Sequence, residues 1–162
     1  MKKATLVVIA AVVVAALVLV LVLSLFRVDP STRALLDQPD RTVSVETAAG
    51  EMVSLDVKFA LDGEARADAF KGVDPEVVAE HVLYIEYPFP ATLAHRTEGL
   101  ETPVDMIFFD ATGASMGLFT ARPEDAAGYR PKDPYQYVLM ASEGRFAEMG
   151  IDERSSLRLT LL

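Results

Sequence analysis

The sequence contains no cysteine, no tryptophan and no asparagine among its 162 residues. Without cysteine, the chain has no disulfide framework, no thiolate metal site and no cysteine nucleophile. Without asparagine, it has no acceptor for N-linked glycosylation. Its two histidines, His81 and His95, are too few for an imidazole-based zinc site, and Walker, dinucleotide-binding and EF-hand motifs are absent. We therefore expect no metal and no cofactor.

Charge and hydrophobicity are both unevenly distributed along the chain. Residues 4–26 contain 21 apolar side chains in 23 positions. Two of the 15 basic residues, Lys2 and Lys3, precede this run, so residues 27–162 carry 13 basic and 24 acidic side chains, a net charge of −11. An acidic domain repels nucleic acid and anionic lipid surfaces. We expect no nucleic-acid partner.

The apolar run predicts a transmembrane anchor within residues 1–26. A helix over residues 4–26 would be about 35 Å long, enough to cross a hydrocarbon core of about 30 Å. Lys2 and Lys3 favour a cytoplasmic N-terminus, which places residues 27–162 on the far side of a bacterial inner membrane. A cleaved secretory signal and a buried core helix are the alternatives, but the run is longer than a typical signal core and apolar all around.

The exported part is predicted to be a linker over residues 27–40 and one domain over residues 41–162. Two-residue periodicity dominates, so the fold class is mainly β with minor α, a compact barrel-like sheet that is closed or nearly closed. The predicted strands are 41–46, 51–59, 81–87, 104–109, 114–120, 135–141 and 155–162. Short helices are predicted at 62–71, 74–80 and 142–149.

Residues 113–117 read G-A-S-M-G and match the G-x-S-x-G nucleophile motif of α/β-hydrolases. That motif needs a strand before the serine, a helix after it and a histidine further along the chain. Here both histidines precede Ser115, and residues 110–113 read as a turn. The pattern therefore favours a β-hairpin at this position.

An ionisable cluster offers a second possibility for catalysis. His95, Glu98 and Asp105 could supply a general acid and base, which makes a small hydrolase-like or sugar-modifying enzyme an alternative hypothesis. A solvated loop around His95 is the simpler interpretation. Asp105 precedes an apolar strand segment, so its carboxylate should be paired, with Arg96 or with a backbone amide, and a structural role is favoured.

Aromatic and basic residues near the end of the chain suggest a carbohydrate or anion site. Its candidate members are Tyr129, Tyr135 and Tyr137 with Arg122, Arg130 and Lys132. The ligand-binding candidates are Tyr129, Arg130 and Tyr135 of this group, together with Arg96. An ordinary loop and strand pair would explain the same residues.

Residues 103–113 read P-V-D-M-I-F-F-D-A-T-G. With segments at 64–67, 82–85, 137–139 and 149–151, this order of motifs resembles the uncharacterised domain-of-unknown-function family 192 over residues 64–157. The family's F-W-M-x-N-T stretch is replaced by H-R-T-E-G-L at 95–100, and its late G-D by Arg154 and Ser155. The resemblance implies a compact, mostly β, often exported domain without an established activity.

These observations favour a non-enzymatic protein, a membrane-anchored extracytoplasmic domain that binds a small ligand or an envelope protein. The enzyme that uses Asp105 with His95 or Glu98 is the alternative. A structural subunit of an envelope complex is a third hypothesis, and it would require an exposed apolar patch and no pocket.

Overall fold

The structure, a computed structural model, describes residues 28–125 and 128–158, together with Val13 and Val18. The predicted anchor at residues 4–26 therefore lies outside the described residues, apart from those two valines. In the part that is described, no helix is both long and apolar enough to span a bilayer.

The described chain forms seven strands and four short helices, which confirms the mainly β class with minor α. In chain order the elements are α1 (Pro30–Leu36), β1 (Asp40–Glu46), β2 (Met52–Ala60), α2 (Gly63–Asp68), α3 (Pro75–Glu80), β3 (Leu83–Ala91), β4 (Val104–Phe109), β5 (Ser115–Ala121), β6 (Tyr135–Ser142), α4 (Arg145–Glu148) and β7 (Ser156–Arg158).

All seven strands belong to one sheet in the order β5-β4-β6-β3-β2-β1-β7. Neighbouring strands are antiparallel except β2 and β3, which run parallel. A parallel pair needs a long crossover connection, and here α2 and α3 provide it. This crossover carries two helices onto one face of the sheet.

The sheet curls into a half-barrel whose two edges meet at one point. Ala114, just before β5, forms an isolated bridge with Ser156 of β7. The Leu157 amide also donates to the Gly113 carbonyl, with 2.8 Å between nitrogen and oxygen. Among the described residues, the edge strands are therefore joined through the turn between β4 and β5. The sheet is a half-barrel, more open than the closed or nearly closed barrel that the sequence predicts.

The core lies on both faces of the sheet, and every residue of β4 is buried. Val104, Met106 and Phe108 belong to a helix-side cluster that also contains residues of α1, α3 and the α2–α3 connection. Ile107 and Phe109 belong to an inner cluster, inside the curl, that also contains residues of β1, β2, β3, β6 and β7. Burial on both faces explains the nearly continuous apolar run of this strand.

The segment predicted as a linker contributes a helix to the domain. The Asp29 carboxylate caps α1 by accepting from the Ser31 amide at 2.8 Å. Leu35 packs into the helix-side cluster. Lys58 of β2 donates to the Leu36 carbonyl at the end of α1, with 3.0 Å between nitrogen and oxygen. Residues 30–36 are therefore packed against the sheet.

Strand β3 continues beyond its predicted end at Tyr87. It runs to Ala91 through Pro88 and Pro90, with a shift of register against β6 between Glu86 and Ala91. Proline cannot donate to a ladder but is tolerated where the pairing is interrupted. Tyr87 follows Leu83 and Ile85 in the alternation of the strand and packs against the same helix-side cluster.

The approach of the two sheet edges makes a testable prediction at Gly113. Its φ is +86°, and a Cβ there would collide with the main-chain carbonyl oxygen of Leu157. Gly50 has a similar φ of +82° but open space around it. In urea unfolding we expect Gly50→Ala to lower the free energy of unfolding by about 1 kcal/mol, from backbone strain alone, and Gly113→Ala by about 3 kcal/mol. Equal losses would show that the edge contact does not constrain position 113.

Candidate functional site

The loop over residues 92–98, called the His95 loop, is fixed along its length. His95 and Tyr129 exchange two main-chain hydrogen bonds, of 2.9 and 2.8 Å. The Tyr135 hydroxyl donates to the Leu93 carbonyl at 2.7 Å, and an Arg130 guanidinium nitrogen donates to the Thr92 carbonyl at 3.2 Å. The loop is therefore held by β6 and by the loop that precedes β6.

Three of the predicted ligand-binding residues are members of this framework. The Tyr129 hydroxyl donates to the Asp125 carboxylate at 2.7 Å, and Tyr135 is fully buried. Arg130 is exposed and contacts the Thr92 carbonyl. Their described hydrogen bonds therefore hold the His95 loop in place, and none of the three lines the pocket beside it.

The His95 side chain is surrounded by aromatic rings. Its ring centroid lies 6.3 Å from that of Tyr87, 5.5 Å from that of Phe108 and 5.9 Å from that of Tyr135. Its Nε2 atom and the Tyr87 hydroxyl oxygen are 3.3 Å apart, within hydrogen-bond distance. Burial lowers the pKa of His95 to about 4, and the positive charge of Lys71 contributes in the same direction. The imidazole is therefore neutral at neutral pH.

A pocket of about 450 Å³ lies beside His95, between α2 and the His95 loop. Residues 66–69 and Lys71 form one wall, and residues 93–96 form the other. Tyr87, Leu100 and Met140 complete the lining. We call this space the His95 pocket. Its volume is within the range of small-molecule sites.

Three cations line the His95 pocket, on an otherwise acidic domain. They are Arg66, Lys71 and Arg96, and the single carboxylate in the lining is Asp68. The sequence predicts Arg96 and His95 as candidate site residues, but no sequence pattern points to Arg66, Lys71 or Tyr87. These residues come from α2, its exit and β3, so no local motif joins them, and only the fold brings them to the same place.

Asp105 lies on the other face of the sheet from the His95 pocket. Side chains alternate along β4, so Asp105 shares the face of Ile107 and Phe109, whereas His95 packs against Phe108 on the helix side. Asp105 is 5% exposed, and its carboxylate accepts from the Thr120 hydroxyl at 2.7 Å and the Gly144 amide at 2.8 Å. The structure therefore does not bring Asp105 and His95 together.

Glu98 does not join either residue. It is exposed and lines a separate outer cavity of about 540 Å³ with Arg96 and Asp125. The remaining residues of the suggested aromatic and basic site are also dispersed. Arg122 pairs with Glu143, and Tyr137 lies in the inner cluster. The pairing of Asp105 with His95 or Glu98 that the enzyme hypothesis requires is not assembled.

The hairpin interpretation of residues 113–117 agrees with the structure. The Asp110 carboxylate accepts from the amides of Thr112 and Ala114 in the turn, and Ser115 opens β5. Within residues 28–125 and 128–158, no group of three or more histidine, aspartate or glutamate side chains is placed to hold a metal ion.

Comparison with known proteins identifies the fold. No protein-family model matches the chain, and no curated protein matches it, so the resemblance to domain-of-unknown-function family 192 stays a prediction. One similar solved structure is a protein of Sinorhizobium meliloti 1021, provisionally described as a transcription regulator. It is 20% identical with a TM-score of 0.67, covering 75% of this chain and 94% of that one.

A second similar structure is a protein of unknown function from Novosphingobium aromaticivorans DSM 12444. It is 18% identical with a TM-score of 0.59, and the alignment covers 82% of this chain and 91% of that one. At these identities the likeness establishes a shared fold and carries no activity over to this chain.

The contacts of Asp105 predict a structural role that unfolding experiments can measure. Asp105→Ala leaves the Gly144 amide without its acceptor, so we expect the free energy of unfolding to fall by about 3 kcal/mol. Asp105→Asn should cost about 1 kcal/mol, because its amide can still serve both partners. The matched control is Asp56→Ala, which removes an exposed cross-strand bond from Thr42 of 3.0 Å. Equal losses at positions 56 and 105 would contradict this role.

Burial of neutral His95 predicts a pH dependence of stability. From pH 6.5 down to about 4, the unfolded chain takes up a proton at His95 that the folded chain does not, so stability falls as the pH falls. Over this range we expect the wild type to lose about 3 kcal/mol more than His95→Gln. Urea unfolding at several pH values measures the difference. Parallel curves for the two proteins would contradict a buried neutral imidazole among Arg66, Asp68, Lys71, Tyr87, Arg96 and Tyr135.

Proposed function

We propose that this protein is a membrane-anchored extracytoplasmic domain of the bacterial cell envelope that binds a small ligand or an envelope protein. The apolar run at residues 4–26 and the lysines before it support the anchor and its orientation. An uncleaved anchor is the favoured form. In this arrangement residues 27–162 face away from the cytoplasm.

The short distance between the run and the folded domain supports a close tether. Helix α1 begins at Pro30, so only residues 27–29 separate it from the end of the run. Three extended residues span at most about 11 Å. The domain would therefore stay beside the bilayer, where an acidic surface disfavours adhesion to anionic headgroups.

The His95 pocket is the observation that carries the binding function. It is a concave space of about 450 Å³ that joins apolar walls to three cationic side chains and a neutral imidazole. Nothing in the described residues pairs Asp105 with His95 or Glu98, so no observation favours the enzyme. A purely structural subunit would not require such a pocket.

The absence of cysteine from the sequence makes the topology testable by single-cysteine labelling. Ser54 is exposed on β2, and Lys3 precedes the apolar run. We expect a membrane-impermeant maleimide to label Ser54→Cys in intact spheroplasts and to label Lys3→Cys only after lysis. The intact mass of the labelled Ser54→Cys chain distinguishes an uncleaved anchor from a processed signal.

Two results would contradict the proposal. Labelling of Ser54→Cys only after lysis would place the domain in the cytoplasm. Recovery of the unprocessed chain from the soluble fraction, with no association with membranes, would exclude the anchor.

A further inference from the structure

We propose that the His95 pocket binds a small organic anion, a compound with one carboxylate or phosphate group and an apolar body. The inference rests on the proposed binding function and names the ligand class for that site. It is carried by the charges of the pocket, by the rigidity of the segments that hold them and by the apolar walls beside them.

The charge of the pocket is opposite to that of the domain. Arg66, Lys71 and Arg96 outnumber Asp68, whereas residues 27–162 carry a net charge of −11. The four ion pairs among the described residues use other cations, so none of these three has a carboxylate within 4.0 Å in that part of the chain. Three cations without acidic partners around one concavity provide an attractive site for an anion.

The cations project from segments that are fixed in the folded domain. Arg66 donates to the Leu61 carbonyl at 3.3 Å, and its guanidinium carbon lies 5.9 Å from the centroid of the Tyr87 ring. Next to Lys71, the Gly72 amide donates to the Gly99 carbonyl at 2.7 Å. An anion would therefore meet cations whose backbones are already ordered, which lowers the entropic cost of binding.

Arg96 is held in the same way on the opposite wall. It lies between His95, whose backbone bonds to Tyr129, and Thr97, whose hydroxyl donates to the Asp125 carbonyl. The side chain itself is exposed at the rim. Arg96 therefore presents a charge at the rim of the pocket from a backbone segment that is already ordered.

The apolar lining distinguishes an organic anion from a free inorganic ion. Leu93 is 63% exposed at the rim of the pocket, and Leu100 and Met140 lie deeper. The Tyr87 ring adds an aromatic surface. A ligand with an apolar body would remove this surface from water at about 25 cal/mol per Å². A bare phosphate ion would leave most of it uncovered.

The experiment is isothermal titration calorimetry on the full chain in a non-ionic detergent, with detergent alone as the blank. Benzoate and phenyl phosphate are the anionic probes, benzyl alcohol is the neutral analogue, and inorganic phosphate tests charge without an apolar body. We expect at least one aromatic anion to bind at least about tenfold more tightly than both benzyl alcohol and inorganic phosphate. Comparison of the two aromatic anions distinguishes a carboxylate from a phosphate ligand.

Charge-neutralising variants locate the site. Lys71→Gln and Arg96→Gln should each weaken binding of the better probe by about fivefold, through loss of one charge at close range. Lys132→Gln is the matched control, because Lys132 is exposed, does not line the pocket and forms no described ion pair. It should leave the affinity unchanged within about twofold. Thermal unfolding of each variant verifies that it is folded.

Three results would overturn the proposal. The first is equal affinity for benzyl alcohol and the aromatic anions. The second is equal weakening of binding by Lys132→Gln and Lys71→Gln. The third is no binding of either aromatic anion at about 5 mM, a concentration of the order expected for weak fragments. None of them bears on the cysteine-labelling result, so failure of the anion site and failure of the membrane-anchored location are distinguishable.

Discussion

Burial of β4 on both faces is the constraint on which the rest of the structure depends. A strand with no solvent-facing side chains needs cover on two sides. The curl of the sheet provides one cover, since inner-cluster residues from both halves of the sheet meet inside it. The helices provide the other, together with the His95 loop, where His95 packs against Phe108. The His95 pocket is the space left between α2 and the His95 loop, which both cover the helix side of the sheet.

The same constraint explains how Asp105 is accommodated. A carboxylate in a buried strand is costly unless its oxygens have hydrogen-bond partners. Thr120 on the neighbouring strand and the Gly144 amide before α4 supply these partners. Gly144 lies between the end of β6 and the start of α4. The hydrogen bond from its amide to the Asp105 carboxylate therefore also fixes the point where the chain leaves β6. Asp105 therefore connects β4 to β5 and to the start of α4.

Local patterns predicted most of the fold because strands and turns are specified by neighbouring residues. Alternation and short apolar runs together predicted all seven strands, and the polar turn at 110–113 predicted the β4–β5 hairpin. Asp105 is predicted to pair with Arg96 or with a backbone amide, and the structure shows the second of these, at Gly144. The N-terminal anchor and the family resemblance stay predictions.

The pocket could not be predicted in the same way. Arg66, Lys71 and His95 meet only because the crossover between parallel strands β2 and β3 places α2 opposite the His95 loop. The sequence also does not show that Tyr129 and Tyr135 form hydrogen bonds within the chain. A tyrosine that donates to a carboxylate or carbonyl of its own chain has the same sequence signature as one that faces a ligand.

The packing of α1 connects the proposed anchor with the proposed ligand site. The Thr32 hydroxyl, buried in the domain, accepts from the Asp74 amide at 2.9 Å. Two residues earlier, the Gly72 amide donates to the Gly99 carbonyl beyond the His95 loop. Residues 71–74 therefore contact α1 on one side and the wall of the pocket on the other. If residues 4–26 span the bilayer, only residues 27–29 separate that run from α1, so the pocket stays close to the membrane surface. An anionic compound would then be captured beside the bilayer, while the acidic surface elsewhere repels anionic lipid and leaves the pocket accessible.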